Sequence, residues 1–200
     1  MSHSEPESFK VRKRRATNAR IAASAARLAG LHGVGNTTVE QIAEDAHIGR
    51  ATFFRYYETK ESAVAEGITG PWLTRLTDAI ARQPGHLTAK QALTQAFEEL
   101  ADRLPDDIDQ IRELACLTRS TPTLHAWTMQ AYQRYENAVA ELLTPRFPDL
   151  APHDPRPRLL AVLAMAAVRI SLDDWTQHGG SLSDLIQQAL ALISIDPAQG

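Results

Sequence analysis

Residues 37–61, TTVEQIAEDAHIGRATFFRYYETKE, constrain this chain more than any other stretch. Thr37 and Glu40 have the spacing of a capping box, which predicts a helix from Thr38. Val39, Ile42, Ala43 and Ala46 then give that helix one apolar face at i, i+3, i+4 and i+7. The pattern stops at His47, one of the non-glycine types that tolerates a positive φ, as a tight turn requires. Ile48 plugs the turn, and Gly49 is positioned to be the N-cap of a second helix. That helix, expected over Arg50–Tyr57, buries Phe53 and Tyr57 as an i, i+4 pair. Arg50, Ala51, Thr52, Phe54, Arg55 and Tyr56 are left on its other faces. Two short helices meeting at a small residue, Ala43, make a helix-turn-helix, a unit whose second helix enters a DNA major groove.

The remaining chain is expected to be helical as well. Hydrophobic residues make up 44% of the 200, an ordinary globular share. No segment sustains the period-2 alternation of a strand, so the fold class is all-α. A first helix is predicted over about Thr17–His32, with Gly33 as its C-terminal cap. Thr59 caps a further helix that Gly67, Gly70 and Pro71 interrupt, and a kink or break is expected there. Helices follow over Thr88–Leu104, from Pro105, from Pro122 to Leu143, from Arg158 to His178, and from Ser181. The segment 144–158, with five prolines, is the one long loop. Three parts are expected: a basic, disordered arm over 1–15, a helix-turn-helix domain over 16–60, and a larger helical domain over 61–200.

Charge supports that division. The net charge of −3 by itself argues against a polyanionic partner, but the distribution of charge argues for one. Residues 1–60 carry ten basic and six acidic side chains, a net of +4, and residues 61–200 carry eleven and eighteen, a net of −7. A basic module on an acidic body suits a DNA reader with a separate regulatory domain. The run Lys10-Val11-Arg12-Lys13-Arg14-Arg15 is expected to touch phosphates or an adjacent minor groove, Arg14 and Arg15 above all.

The order HIGRATFFRYYETKE at 47–61, together with IAASAARLAGLHGVGNTTV from Ile21, closely resembles the DNA-binding signature of the TetR family of bacterial transcription regulators. The match covers about the first third of the chain and holds in register at many positions. His47 departs from the usual turn glycine, Gly49 from serine, Phe54 from a frequent tyrosine, and Ala29 from an aromatic core residue. The resemblance implies a homodimer formed through the last two helices, about 158–195, acting on a palindromic double-stranded operator. Two adjacent helices with more apolar surface than one chain is expected to cover point the same way.

The expected DNA contacts are Arg14, Arg15, Thr38, Arg50, Ala51, Thr52, Phe54, Arg55, Tyr56 and Lys60. Arg50 and Arg55 can pair with a guanine edge or bind phosphate. Ala51 and Phe54 suit thymine methyls, and Thr38, Thr52, Tyr56 and Lys60 suit phosphates. Lys60 is a cation at a helix N-terminus, a mismatch that a facing phosphate would relieve. The resemblance also implies a small apolar or amphipathic effector in the larger domain that releases DNA. Candidate walls are Phe97, Cys116, Trp127, Met129 and Trp175, with Arg112, Arg119 or His125 as polar anchors. The pattern of the last three helices, including TPTL and RISLDDW, resembles that of actinobacterial members proposed to sense acyl-CoA-like ligands.

Enzymatic readings lack support: there is no phosphate-binding glycine loop, no nucleophile elbow, and no metal-ligand spacing among the seven histidines. No cofactor is expected. No apolar run is long enough to span a membrane, the N-terminus has no secretory core, and the single cysteine suits a reducing cytoplasm. A repressor that leaves its operator on binding an effector fits these features. An activator of the same fold, or a helical interaction module that packs on protein instead of DNA, are the alternatives.

Overall fold

The computed structural model describes residues 9–101 and 104–194, with residues 104–107 and 123 described for backbone alone. Nine α-helices and no strand occur among the described residues. They are α1 (Phe9–His32), α2 (Val39–Asp45), α3 (Arg50–Phe53), α4 (Lys60–Arg82), α5 (Ala89–Ala101), α6 (Leu104–Ser120), α7 (Pro122–Leu143), α8 (Arg156–His178) and α9 (Leu182–Ala191). The chain divides into two compact units between Gly70 and Pro71, inside α4. The expected boundary at 60/61 falls at the start of α4, ten residues before this division.

In the first unit, α1 buries Ile21, Ala22, Ala25, Leu28 and Ala29 as one stripe. Gly33 then leaves the helix at φ 79°, a left-handed cap that costs glycine no Cβ strain. Helix α1 starts at Phe9, eight residues before the expected Thr17. Residues 9–15 are thus helical and not a disordered arm, as far as that expectation lies on described residues; residues 1–8 lie outside them. Lys and Arg are good helix formers, and here they extend a helix whose core-facing part lies downstream.

Helix α4 packs on α1 through Gly67. A Cβ at Gly67 would stand 2.1 Å from the Ala22 carbonyl oxygen and 2.7 Å from the Ala26 Cβ. Glycine in a helix interior costs roughly 1 kcal/mol in propensity, and the close approach of two backbones offsets it. The expected break at Pro71 does not occur: α4 runs through it to Arg82. Proline cannot donate the intrahelical hydrogen bond at its own position, and the burial of Ile68 before it and Leu76 after it offsets that loss.

The second unit has one core. Leu76 and Ile80 from α4, Leu93 and Leu100 from α5, Val139 and Leu143 from α7, Leu160, Met165 and Trp175 from α8, and Ile186 and Leu190 from α9 meet there. Polar side chains close its edges. Arg146 donates to the carbonyls of Ile80 (3.3 Å), Gln83 (2.8 Å), Pro84 (2.7 Å) and Leu87 (3.5 Å), satisfying the free C-terminal end of α4 and the turn after it. Lys90 donates to the carbonyls of Ala191 and Ile193 at the end of α9. The buried Arg156 guanidinium is held by Asp154 at 2.8 Å and Asp149 at 3.2 Å. Hydrogen bonds from Arg156 keep the Asp154 carboxyl below its usual range. The segment 144–155 is shorter than expected as a loop, because Thr144–Arg146 forms a 3-10 turn and α8 begins at Arg156.

Candidate nucleic-acid interface

The loop between α1 and α2 is fixed by side chains. Asn36 Nδ2 donates to the His32 carbonyl (2.9 Å), and the buried Thr37 Oγ1 donates to the Gly33 carbonyl (2.9 Å). The capping box lies one residue further along than expected. Thr38 is the N-cap: its Oγ1 accepts from Gln41 N (3.2 Å), and its own N–H donates to Gln41 Oε1 (2.8 Å). Thr37 is instead buried in the loop, bonded to Gly33 and Val34, and Glu40 is left out of the box. Thr88 and Gln91 repeat the same arrangement at the start of α5.

The turn between α2 and α3 follows the sequence reading. His47 stands at φ 51°, and Ile48 N donates to the Ala43 carbonyl (2.9 Å). Gly49 is the N-cap of α3, at an extended backbone that any residue adopts. The α-helical part of α3 is one turn, Arg50–Phe53, with hydrogen-bonded turns continuing to Tyr57 in place of the expected eight-residue helix. Phe53 and Tyr57 are buried as expected, ring centroids 5.9 Å apart.

This arrangement displays one surface. Arg50, Ala51, Phe54 and Arg55 are exposed, and Thr52 and Tyr56 are half-buried at its edge. Phe54 lies edge-on to Phe53 at 5.4 Å, which anchors an exposed ring on a buried one. Arg50 stands over the Phe54 ring at 5.6 Å and pairs with Glu40 of α2 at 3.1 Å. Thr38 is exposed at the start of α2, its hydroxyl engaged in the cap.

Beside this surface the first turns of α1 and the α3 segment enclose an open cleft of about 530 Å³. Lys10, Lys13, Arg14, Thr17, Arg20, Ile48, Thr52, Arg55 and Tyr56 line it. Five of these nine are cations and none is acidic, so the cleft favours a polyanion. The structure thus brings Arg14 together with Thr52, Arg55 and Tyr56. Arg15, exposed on the same helix, does not line the cleft.

Thr17 is a functional candidate that sequence reasoning missed, and Lys10 and Lys13 are the members of the basic run that join Arg14 in the cleft. The four recur at i, i+3, i+4 and i+7, one face of a helix, a signal hidden by treating the run as an arm. Arg20 was missed too, and it has a structural task, donating from Nε to the Ala46 carbonyl at 2.8 Å. Lys60 is a correction. Its ammonium points into the protein and donates to the carbonyls of Val34 (2.9 Å), Gly35 (3.1 Å) and Thr37 (2.7 Å). All three donors are used, which explains a cation at a helix N-terminus without any phosphate.

The effector candidates do not form one wall. Trp175 is a core residue, 2% exposed, with Nε1 donating to the Gly180 carbonyl at 3.1 Å. Arg112 of α6 covers its ring at 3.9 Å. Arg119 donates to Thr176 Oγ1 at 2.7 Å, so both arginines tie α6 to α8. Cys116, on the same face of α6, is exposed, as is His125 of α7. Trp127 is half-buried beneath Arg134 at 5.3 Å, Met129 is half-buried, and Phe97 packs on the core. Sequence spacing placed these residues on the right helices but could not show which neighbour each one meets.

Comparison with known proteins agrees with the geometry. The family described as bacterial regulatory proteins, tetR family, matches residues 21–66, and the family described as MftR C-terminal domain matches residues 87–196. The chain is similar to the HTH-type transcriptional regulator TcmR of Streptomyces glaucescens, 28% identical over 170 residues, 82% of this chain and 75% of that protein. Its fold is similar to Thermus thermophilus FadR, a TetR family repressor solved with lauroyl-CoA: TM-score 0.66, 22% identity, 92% of this chain and 99% of that one. It is also similar to Bacillus subtilis FadR solved with stearoyl-CoA: TM-score 0.55, 19% identity, 86% of this chain and 95% of that one. A helix-turn-helix beside a cationic cleft and a separate helical unit, matched over more than half the chain, place this protein in the TetR family of bacterial regulatory proteins, transcriptional regulators that bind operator DNA as homodimers and respond to small molecules.

Proposed function

We propose that the protein is a repressor that occupies a palindromic operator and leaves it when an amphipathic molecule of the acyl-CoA class binds the larger unit. The cationic cleft beside an exposed α3 carries the reading. Arg50, Ala51, Phe54 and Arg55 face base edges in the major groove, and Lys10, Lys13, Arg14, Thr52 and Tyr56 hold the flanking phosphates. Arg15 and Thr38 extend that phosphate track. Lys60 takes no direct part.

A two-fold dimer presents two such surfaces to a two-fold operator. Support for the pairing face comes from α8, where Leu159, Leu163 and Ile170 lie at i, i+4 and i+11 with 50%, 41% and 51% exposure. Apolar side chains in a row at that spacing suit the seam of a helix pair. The effector class rests on two FadR structures of the same fold, solved with lauroyl-CoA and stearoyl-CoA.

Selection of bound duplexes from a random pool tests the reading. An inverted repeat is expected among the bound sequences, released by a long-chain acyl-CoA and not by free CoA. A pool with no enriched sequence would contradict DNA recognition. Release by neither compound would contradict the effector class alone.

A further inference from the structure

Glu40 lies in the first turn of α2, where its charge complements the positive end of the helix, but that needs no particular side-chain direction. The capping box that its spacing from Thr37 suggests belongs to Thr38 and Gln41. Its carboxylate instead reaches across the turn to Arg50, the first residue of α3, at 3.1 Å. The two side chains are 60% and 66% exposed, and a pair so wet adds little to folding. Arg50 is also held from another side, its guanidinium 5.6 Å from the centre of the Phe54 ring, which itself leans on the buried Phe53. A long flexible cation is therefore oriented by two groups on the surface that faces DNA.

Resting on the operator-binding reading, we infer that Glu40 is a positioning residue that aims Arg50 at one guanine of each half-site. An arginine free to swing binds the nearest phosphate, which is present beside every base. A carboxylate on its flank opposes that by repelling the phosphate backbone and by fixing the guanidinium plane. The remaining N–H donors of the fork stay directed outward, where guanine O6 and N7 accept them as a pair. Exclusion of water on docking strengthens the Glu40–Arg50 attraction when it is needed. The carboxylate lowers affinity for DNA in general and increases the difference between right and wrong bases.

The test uses the intact protein, its selected duplex, and a panel in which each base pair of the half-site is replaced in turn. Binding of the unaltered protein to the selected duplex is the control for DNA recognition itself. Arg50→Ala locates the position that Arg50 reads, where at least a tenfold preference is expected to vanish. Glu40→Gln is expected to lose most of the preference at that same position, keep it elsewhere, and bind random duplex more tightly. In the Arg50→Ala background, Glu40→Gln is expected to change no preference. The inference is overturned if Glu40→Gln keeps the full preference, if Arg50→Ala abolishes none, or if Glu40→Gln still alters preference without Arg50. Thermal melting of each variant separates loss of aim from loss of fold.

Discussion

The ammonium of Lys60 is saturated by three backbone carbonyls, all in the loop that joins α1 to α2. Charge-assisted hydrogen bonds of this kind contribute roughly 1.5–3 kcal/mol each at most, and they share one side chain here. Lys60→Met is expected to lower the stability of the first unit by about 2 kcal/mol. It should leave the salt dependence of DNA binding unchanged, because Lys60 holds no phosphate; chemical denaturation and binding at several salt concentrations check both. Tyr132 makes a second prediction. Burial pushes its phenol up to about 12, with Arg169 pulling down and Asp173 pushing up. The unfolded chain ionises this group near pH 10, so the folded state loses stability as pH rises from there to about 12. Tyr132→Phe removes that contribution, and its denaturation free energy should fall less steeply over the same window than that of the unaltered protein.

At the scale of the element, α1 and α8 each present an exposed face. On α1 the face is cationic. Replacing Lys10, Lys13 and Arg14 with Ala should weaken binding uniformly across duplex sequences. It should also reduce the slope of log affinity against log salt by roughly 1 for each phosphate that is no longer neutralised. Those side chains are exposed, so melting should not move. On α8 the face is apolar. Leu159→Glu with Leu163→Glu should raise the concentration at which the dimer forms by roughly 100-fold, about 3 kcal/mol, read by sedimentation. Which elements were legible follows from what fixes them. Helix α7 runs from Pro122 to Leu143 as its own periodicity predicts, and Gly33 and His47 take the positive φ that their turns demand. The start of α1 was hidden because a charge run has no hydrophobic period. The length of α3 was hidden because one turn of helix and a series of turns bury Phe53 and Tyr57 equally well. Lys60 and Glu40 were misread for a different reason: each meets a partner distant in sequence, and local spacing suggests a nearer one.

At the scale of the whole molecule, charge is divided between the two ends of the sequence, net +4 over residues 1–60 and −7 beyond. The acidic part disfavours contact with a polyanion and the basic part attracts it, so the division selects which surface meets DNA. No helix among the described residues is long and apolar enough to cross a membrane. On the proposed reading, this chain recognises a particular duplex through a surface of cations and base-reading side chains. Equilibrium binding of the intact protein to its selected operator and to a scrambled duplex, from about 50 to 200 mM salt, tests it most directly. The operator should be preferred by roughly a thousandfold or more, and affinity should fall by roughly 10³ or more over that range. Equal affinity for the two duplexes, or affinity indifferent to salt, would contradict it.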